Sequence, residues 1–368
     1  MITRRGTILG MGAVAAGAAV PWLWRRAAGG DARAVFFSAV DDGAGRHYIA
    51  ALAADGRELA RAPVEDRAHS VAVAPDGTSA MFFARRPGRA AWQLDLAAGG
   101  IARTREAAPG RHFYGHGAFS PDGRLLYASE NDYDNARGAI GVYDMAADRR
   151  IAELPSHGIG PHDVRLLPDG RTLVVANGGI RTHPDSPREA LNLDTMQPSL
   201  VYLDREDGTL LERVRPPHHQ LSVRHLWVTR DARVGVAMQY QGPVTDRVPL
   251  VGFHRRGDTL QTALAPLAEQ RGMRGYTASI CIHAASGTAA VTCPRGDLVT
   301  FWDADRAEFR GARRLRDPGG ANLAPDGEGF MITTGTGQLA RLAPDGRARR
   351  VITAERRHWD NHLVGRLG

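Results

Sequence analysis

The sequence contains no lysine: all 47 of its basic residues are arginine. That bias follows genome composition, so the formal net charge of +7 is not read as a nucleic-acid footprint. Cysteine is nearly absent too. Cys281 and Cys293 stand twelve positions apart across an expected hairpin, a spacing that suits either a disulfide in an oxidising compartment or two buried reduced strand residues. After Trp24 no apolar stretch approaches the roughly 20 residues of a spanning helix, so a soluble body is expected. Catalytic signatures are missing as well. There is no G-x-S-x-G elbow, no His-Glu-x-x-His, no Cys-x-x-Cys-His for covalent haem and no phosphate-binding glycine loop.

What is present is a folded composition with many turns. Of 368 residues 43% are hydrophobic and 24% charged, with 43 Gly and 21 Pro. The chain opens MITRRGTILGMGAVAAGAAVPWLWRRAAGG, a pair of arginines before an apolar stretch and then small residues. Residues 1–30 are read as an export signal or an uncleaved anchor, and the pair Arg4 and Arg5 resembles a twin-arginine signal, although Thr7 is more polar than that pattern usually has. Cleavage near Ala28 would remove four arginines and lower the charge to +3, from +7 for the full chain. A periplasmic location is expected, with membrane contact only through this segment if it is retained.

Residues 31–368 carry one repeat. HSVAVAPDGTSAMFFARR (69–86), HGAFSPDGRLLYASEND (116–132), HDVRLLPDGRTLVVANGG (162–179) and HLWVTRDARVGVAMQYQG (225–242) share two apolar runs around a turn that is Pro-Asp-Gly in three of them; weaker copies lie at 276–296 and 319–337. Further strand-like pieces follow each hairpin, which gives the four strands of a propeller blade. The tail HWDNHLVGRLG begins like a first strand, and 34–40, 47–56 and 58–64 supply the three that would follow it. The fold expected is all-β, a single seven-bladed β-propeller closed by joining N- and C-terminal strands in one blade, so that no sheet edge between the first and last blades stays open. The interval from 162 to 225 holds an insertion. The run SENDYDNARG (129–138) spaces Glu130, Asp132 and Asp134 like a calcium loop but lacks its Gly and distal Glu, so it reads as a polar blade loop.

The phase of the repeat carries the chemistry. His69, His116, His162, His225 and His362 all stand at the entrance of a first strand, five of the chain's 14 histidines. In a propeller those entrances share one face of the disc, so the five imidazoles are expected to face a common axis as transition-metal ligands. The other two blades offer Tyr276 or Ser279, and Gly320 or Asn322. A single histidine at such a place is better explained by a hydrogen bond to a neighbouring blade; the argument rests on the set. Loops of the same face add His112, His183, Arg111, Arg181, Arg224 and Met238 as ligand-binding candidates. The arginines suit an anion such as a chelate, a haem propionate or a sugar acid, against the alternative of ordinary surface charge, and Met238 is weighed against packing in its apolar run.

PHDVRLLPDGRTLVVANGG resembles the repeat of lactonase-type and surface-layer-type propellers more than a tryptophan-aspartate repeat. RHFYGHGAFSPDG, SHGIGPHD, ANGGIRTHPD, LNLDTMQPSL and LSVRHL together resemble the exported bacterial domain-of-unknown-function family 1513. The resemblance implies the propeller fold. It also implies a gene neighbourhood of imelysin-type iron-uptake proteins and haem-containing oxidoreductases, and so other periplasmic iron-uptake proteins as partners. The function expected is that of a monomeric periplasmic protein that binds iron, copper or a metal chelate as an accessory to metal uptake, with no nucleic-acid partner. Two alternatives stay open: a metal- or haem-dependent oxidoreductase or lactonase-like hydrolase, and a protein-interaction scaffold.

Overall fold

The computed structural model describes residues 36–86, 88–186, 189–353 and 357–365. The reading of residues 1–30 lies outside these. Seven antiparallel sheets follow one another, six of four strands and one of five. The first strand of each sheet touches the first strand of the next, all the way round, so the seven sheets form the blades of a propeller. Blades 1 to 6 begin with the inner strands Ala68–Val73, Arg111–Phe119, Pro161–Leu166, Leu221–Val228, Ser279–His283 and Pro318–Leu323. Blade 7 joins the two ends of the chain. Its inner edge is Arg357–Trp359 and Val364–Gly365, both paired with Phe36–Asp42, and His47–Leu52 and Glu58–Val64 complete it.

The Pro-Asp-Gly signature has a local cause. In blade 3 the Asp169 side chain accepts the backbone N–H of Arg171 at 2.9 Å and of Thr172 at 2.8 Å, and Gly170 takes φ +67°, a left-handed conformation that a side chain disfavours. Asp76, Asp122 and Asp326 repeat the contact with the N–H two residues on. Between blades the faces are apolar. Phe37, Ile49 and Ala51 of blade 7 pack on Val71, Phe82 and Trp92 of blade 1, and a like layer fills each later interface.

Three sequence expectations are refined. Cys281 and Cys293 are free and lie in different apolar layers, on opposite faces of the blade 5 sheet, because Cys281 pairs with Ala290, three residues from Cys293. The run from Ser129 to Gly138 is only partly loop: Glu130 and Asp132 are buried in the strand Leu125–Asp132. Blade 5 begins at Ser279 rather than Tyr276, which instead forms an isolated bridge with Gln239. The insertion runs between Thr172–Asn177 and Ser199–Asp204, and its described residues include a short turn of helix, Leu193–Thr195. Among the described residues no helix is long and apolar enough to cross a membrane.

Candidate metal centre

Each histidine-bearing inner strand loses its register at or beside the histidine. In blade 1, Ala68 pairs with Ala84 and Val71 with Phe82, so His69 and Ser70 share one partner position. Three residues, Tyr114 to His116, occupy such a break in blade 2; His162 is the extra residue in blade 3 and Arg224 in blade 4. Blade 7 interrupts its inner edge between Trp359 and Val364, and His362 lies in that gap. Blade 5 has no histidine at this phase and pairs without a break, whereas blade 6, also without one, breaks between Pro318 and Ala321, so the break is shared by most blades and the histidines use it. A bulge turns a side chain out of the strict alternation of a strand, and here it frees the ring from the blade interface.

The five rings meet. Centroid separations are 4.5 Å for His69–His362, 4.6 Å for His116–His362, 4.7 Å for His162–His225 and for His225–His362, and 5.2 Å for His69–His116. In His69, His116, His225 and His362 the ligand atoms all lie within 4.8 Å of one another, and all four residues are buried. His362 Nε2 is 3.3 Å from His69 Nε2, and His162 Nε2 is 3.0 Å from His225 Nε2. Nitrogens bound about 2.1 Å from one ion lie ~3.0–3.4 Å apart when adjacent and ~4.2 Å apart when opposite, so the set needs only small closure. His162 stands outside the group of four and keeps partial surface exposure. Glycines make the room. A Cβ on Gly115, which sits at φ +98°, would come 2.6 Å from His69 Cδ2, and one on Gly320 would come 2.2 Å from the Leu363 nitrogen, next to His362.

Two carboxylates stand behind the rings. Asp360 Oδ1 is 3.0 Å from His69 Nδ1, and its Oδ2 accepts Arg67 Nε at 2.9 Å. Asp163 Oδ1 is 3.1 Å from His116 Nδ1, and its Oδ2 accepts the Leu226 N–H at 2.9 Å, which links blades 2, 3 and 4. The Asp360 hydrogen bond on His69 Nδ1 holds the proton there and turns the Nε2 lone pair inward; Asp163 Oδ1 stands close to His116 Nδ1 without hydrogen-bond alignment, and His116 Nε2 has no partner of its own. Burial pushes the His69 pKa down to about 4 against the pull of Asp360. Burial likewise drives His162, His225 and His362 well below the ordinary value, with neighbouring imidazoles and, for His162, Arg224 adding to it. For Asp163 and Asp360 burial works the other way, but Arg165 with His116, and His69 with Arg67, outweigh it and hold both carboxyls well below the usual range. At neutral pH His69, His162, His225 and His362 are uncharged, the form that binds metal.

The other sequence candidates are dispersed. His112 is buried, with Nδ1 3.0 Å from the Phe113 carbonyl and Nε2 3.1 Å from Asn131 Nδ2, and burial lowers its pKa to about 4. His183, in the insertion, lies beside Tyr133, with Asp185 at 3.4 Å and Asp134 at 3.7 Å. Arg111 pairs with Asp132 at 2.9 Å and Glu153 at 3.0 Å; Arg181 is exposed; Met238 is fully buried in the largest apolar layer. Arg224 alone adjoins the cluster, and burial, with Arg86 nearby, lowers its pKa to about 10. Sequence reasoning missed Asp163 and Asp360. Their one signal was an acid beside a phase histidine, in GPHD and in WDNH.

Residues 62–366 match the family described as "Protein of unknown function (DUF1513)". No curated protein matches the chain. Among solved structures, hydrazine synthase of Kuenenia stuttgartiensis superposes with a TM-score of 0.61 at 15% identity, covering 91% of this chain and 99% of that one. At that identity the likeness is one of fold.

Proposed function

We propose that this chain, which belongs to the DUF1513 family, binds one transition-metal ion, iron or copper, alone or as a chelate, at the axis of its propeller. The observation that carries this reading is four buried histidines with ligand atoms within 4.8 Å, two of them backed by carboxylates. Five imidazoles so enclosed cannot all be charged and gain nothing from water; a shared cation compensates both losses. All-nitrogen donors suit copper, iron, nickel and zinc rather than calcium or magnesium. Rings in mutual edge contact leave no slot for a macrocycle among them, which favours an ion over haem inside the cluster. The role that fits is a periplasmic accessory to metal uptake, working with other proteins of that system.

The test is metal analysis of untagged protein purified without chelator. About one equivalent of iron or copper per chain is expected, and protein that contains none and takes up neither iron, copper nor zinc ends the reading. A second reading, a metal-dependent oxidoreductase or hydrolase, draws on His162, whose partly exposed neutral ring beside His225 is placed to move a proton for a group on the ion. It requires turnover by the loaded protein that disappears in His162→Ala while the metal stays bound.

A further inference from the structure

Blade 4 carries two connections on the face where the inner strands begin. Residues 241–250 join its second strand, Val234–Tyr240, to its third, Val251–His254, and residues 264–278 lead from its outer strand, Gln261–Ala263, to blade 5. Between them lies a cavity of about 120 Å³. Its wall holds four arginines, Arg247, Arg271, Arg274 and Arg295, against a single acid, Asp246. All four arginines are exposed, and none has a carboxylate within ion-pair distance among the described residues.

The wall is built rather than loose. The Tyr240 hydroxyl donates to Asp246 Oδ2 at 2.6 Å, so the one acid is already engaged. Arg247 donates to the Ala265 carbonyl at 3.2 Å, which ties one connection to the other, and Arg295 lies 4.2 Å from the centre of the Tyr276 ring. Behind them Gln270 is buried. Its Nε2 donates to the Val248 carbonyl at 2.7 Å and its Oε1 accepts the Ala265 N–H at 2.9 Å, a second tie between the two connections. Val248, Leu250 and Leu267 give the cavity an apolar side, and Leu267 is left 48% exposed.

Repulsion between any two exposed guanidiniums is small in water, but four directed at one hollow make a concave, positive field that gathers anions. A guanidinium fork matches the oxygens of a carboxylate or phosphate, and one molecule bearing several such groups answers several forks at once. The volume is about ten times what a single water needs, which suits a body of about ten heavy atoms rather than a bare ion. The apolar side favours carbon between the acidic groups.

We infer that this cavity is a binding site for a small organic polyanion, a carbon body with two or three carboxylate or phosphate groups, held by Arg247, Arg271, Arg274 and Arg295. The site shares the face of the histidines but draws on none of them, so it stands apart from the metal reading.

Two probes are titrated calorimetrically into the full chain at low ionic strength without added metal: tricarballylate for carboxylate groups and fructose bisphosphate for phosphate groups. At least one should bind saturably at one per chain, the tighter of the two assigns the acidic group, and added salt should weaken it. Arg271→Gln and Arg295→Gln should each lower that affinity about tenfold. Both positions are exposed, so both variants should fold. Arg149→Gln, an exposed arginine on the outer strand of blade 2, should leave the affinity unchanged. Saturable binding of neither probe, affinity equal to wild type in both cavity variants, or an equal loss in Arg149→Gln overturns the site. Inorganic phosphate bound as tightly as the better probe overturns the organic body.

Discussion

Asp360→Asn isolates the contribution of the carboxylate behind His69. The native side chain accepts on both oxygens: Oδ1 faces His69 Nδ1 at 3.0 Å, and Oδ2 faces Arg67 Nε at 2.9 Å and a terminal guanidinium nitrogen at 2.8 Å. An amide has one oxygen to offer. If it faces His69, the NH2 group is set against the Arg67 donors. If it faces Arg67, the NH2 group points at Nδ1, which must then accept, and the ring proton moves to Nε2, where it blocks the lone pair a metal needs. Either arrangement weakens the site. Loss of such a carboxylate costs about 10- to 100-fold in metal affinity, which is about 1.4–2.7 kcal/mol. The accompanying loss of fold stability should be smaller, about 1–2 kcal/mol, because Arg67 is 39% exposed and can turn to water. Competition against a chromophoric chelator measures the first quantity and urea unfolding of metal-free protein the second. A folded variant whose metal affinity stays within about twofold of wild type would refute the reasoning.

His116→Ala should abolish stoichiometric metal binding and His162→Ala should retain it, since only the first belongs to the buried group of four; equilibrium dialysis distinguishes them, and equal loss in both would remove the distinction. Gly115→Ala should displace the His69 ring, lower metal affinity about tenfold and cost about 1–3 kcal/mol of stability, because its Cβ would sit 2.6 Å from His69 Cδ2 at φ +98°. Metal-free protein should lose stability on acidification. Rings whose folded pKa is depressed leave stability intact above the unfolded value near 6.5 and remove it as pH falls toward about 4, with His69 alone worth about 3 kcal/mol across that window, facing Asp360, Arg67 and Arg85. Urea midpoints at pH 7.5, 5.5 and 4.5 that do not fall would contradict this.

The repeat was legible because each turn depends on residues adjacent in sequence. Asp169 needs only the N–H groups of Arg171 and Thr172, and any reader of Pro-Asp-Gly can place it. The phase histidines were legible for the same reason, one repeat laid over another. The fate of the arginines was not. Arg111 and Arg224 both stand ahead of a phase histidine, yet Arg111 meets Asp132 from the next strand and Glu153 from the outermost strand of its blade, whereas among the described residues no carboxylate lies within ion-pair distance of Arg224. The supporting carboxylates escaped notice because each serves a ring of another blade, Asp163 of blade 3 that of His116 and Asp360 of blade 7 that of His69. Met238 lay in an apolar run, and packing decided it.

Blade 7 is where the chain shuts on itself, and the cluster lies across that joint. His69 and His362 are 293 residues apart along the chain and 3.3 Å apart at their Nε2 atoms. An ion held by both therefore acts as a rivet through the seam, and it can be gripped only by a ring already shut. Mass action then works in reverse: an ion at about a thousand times its dissociation constant adds ~4 kcal/mol against opening. With the proposed site filled, the melting temperature should rise with metal supply, and the metal-free protein should have a looser seam, more easily cut by proteases.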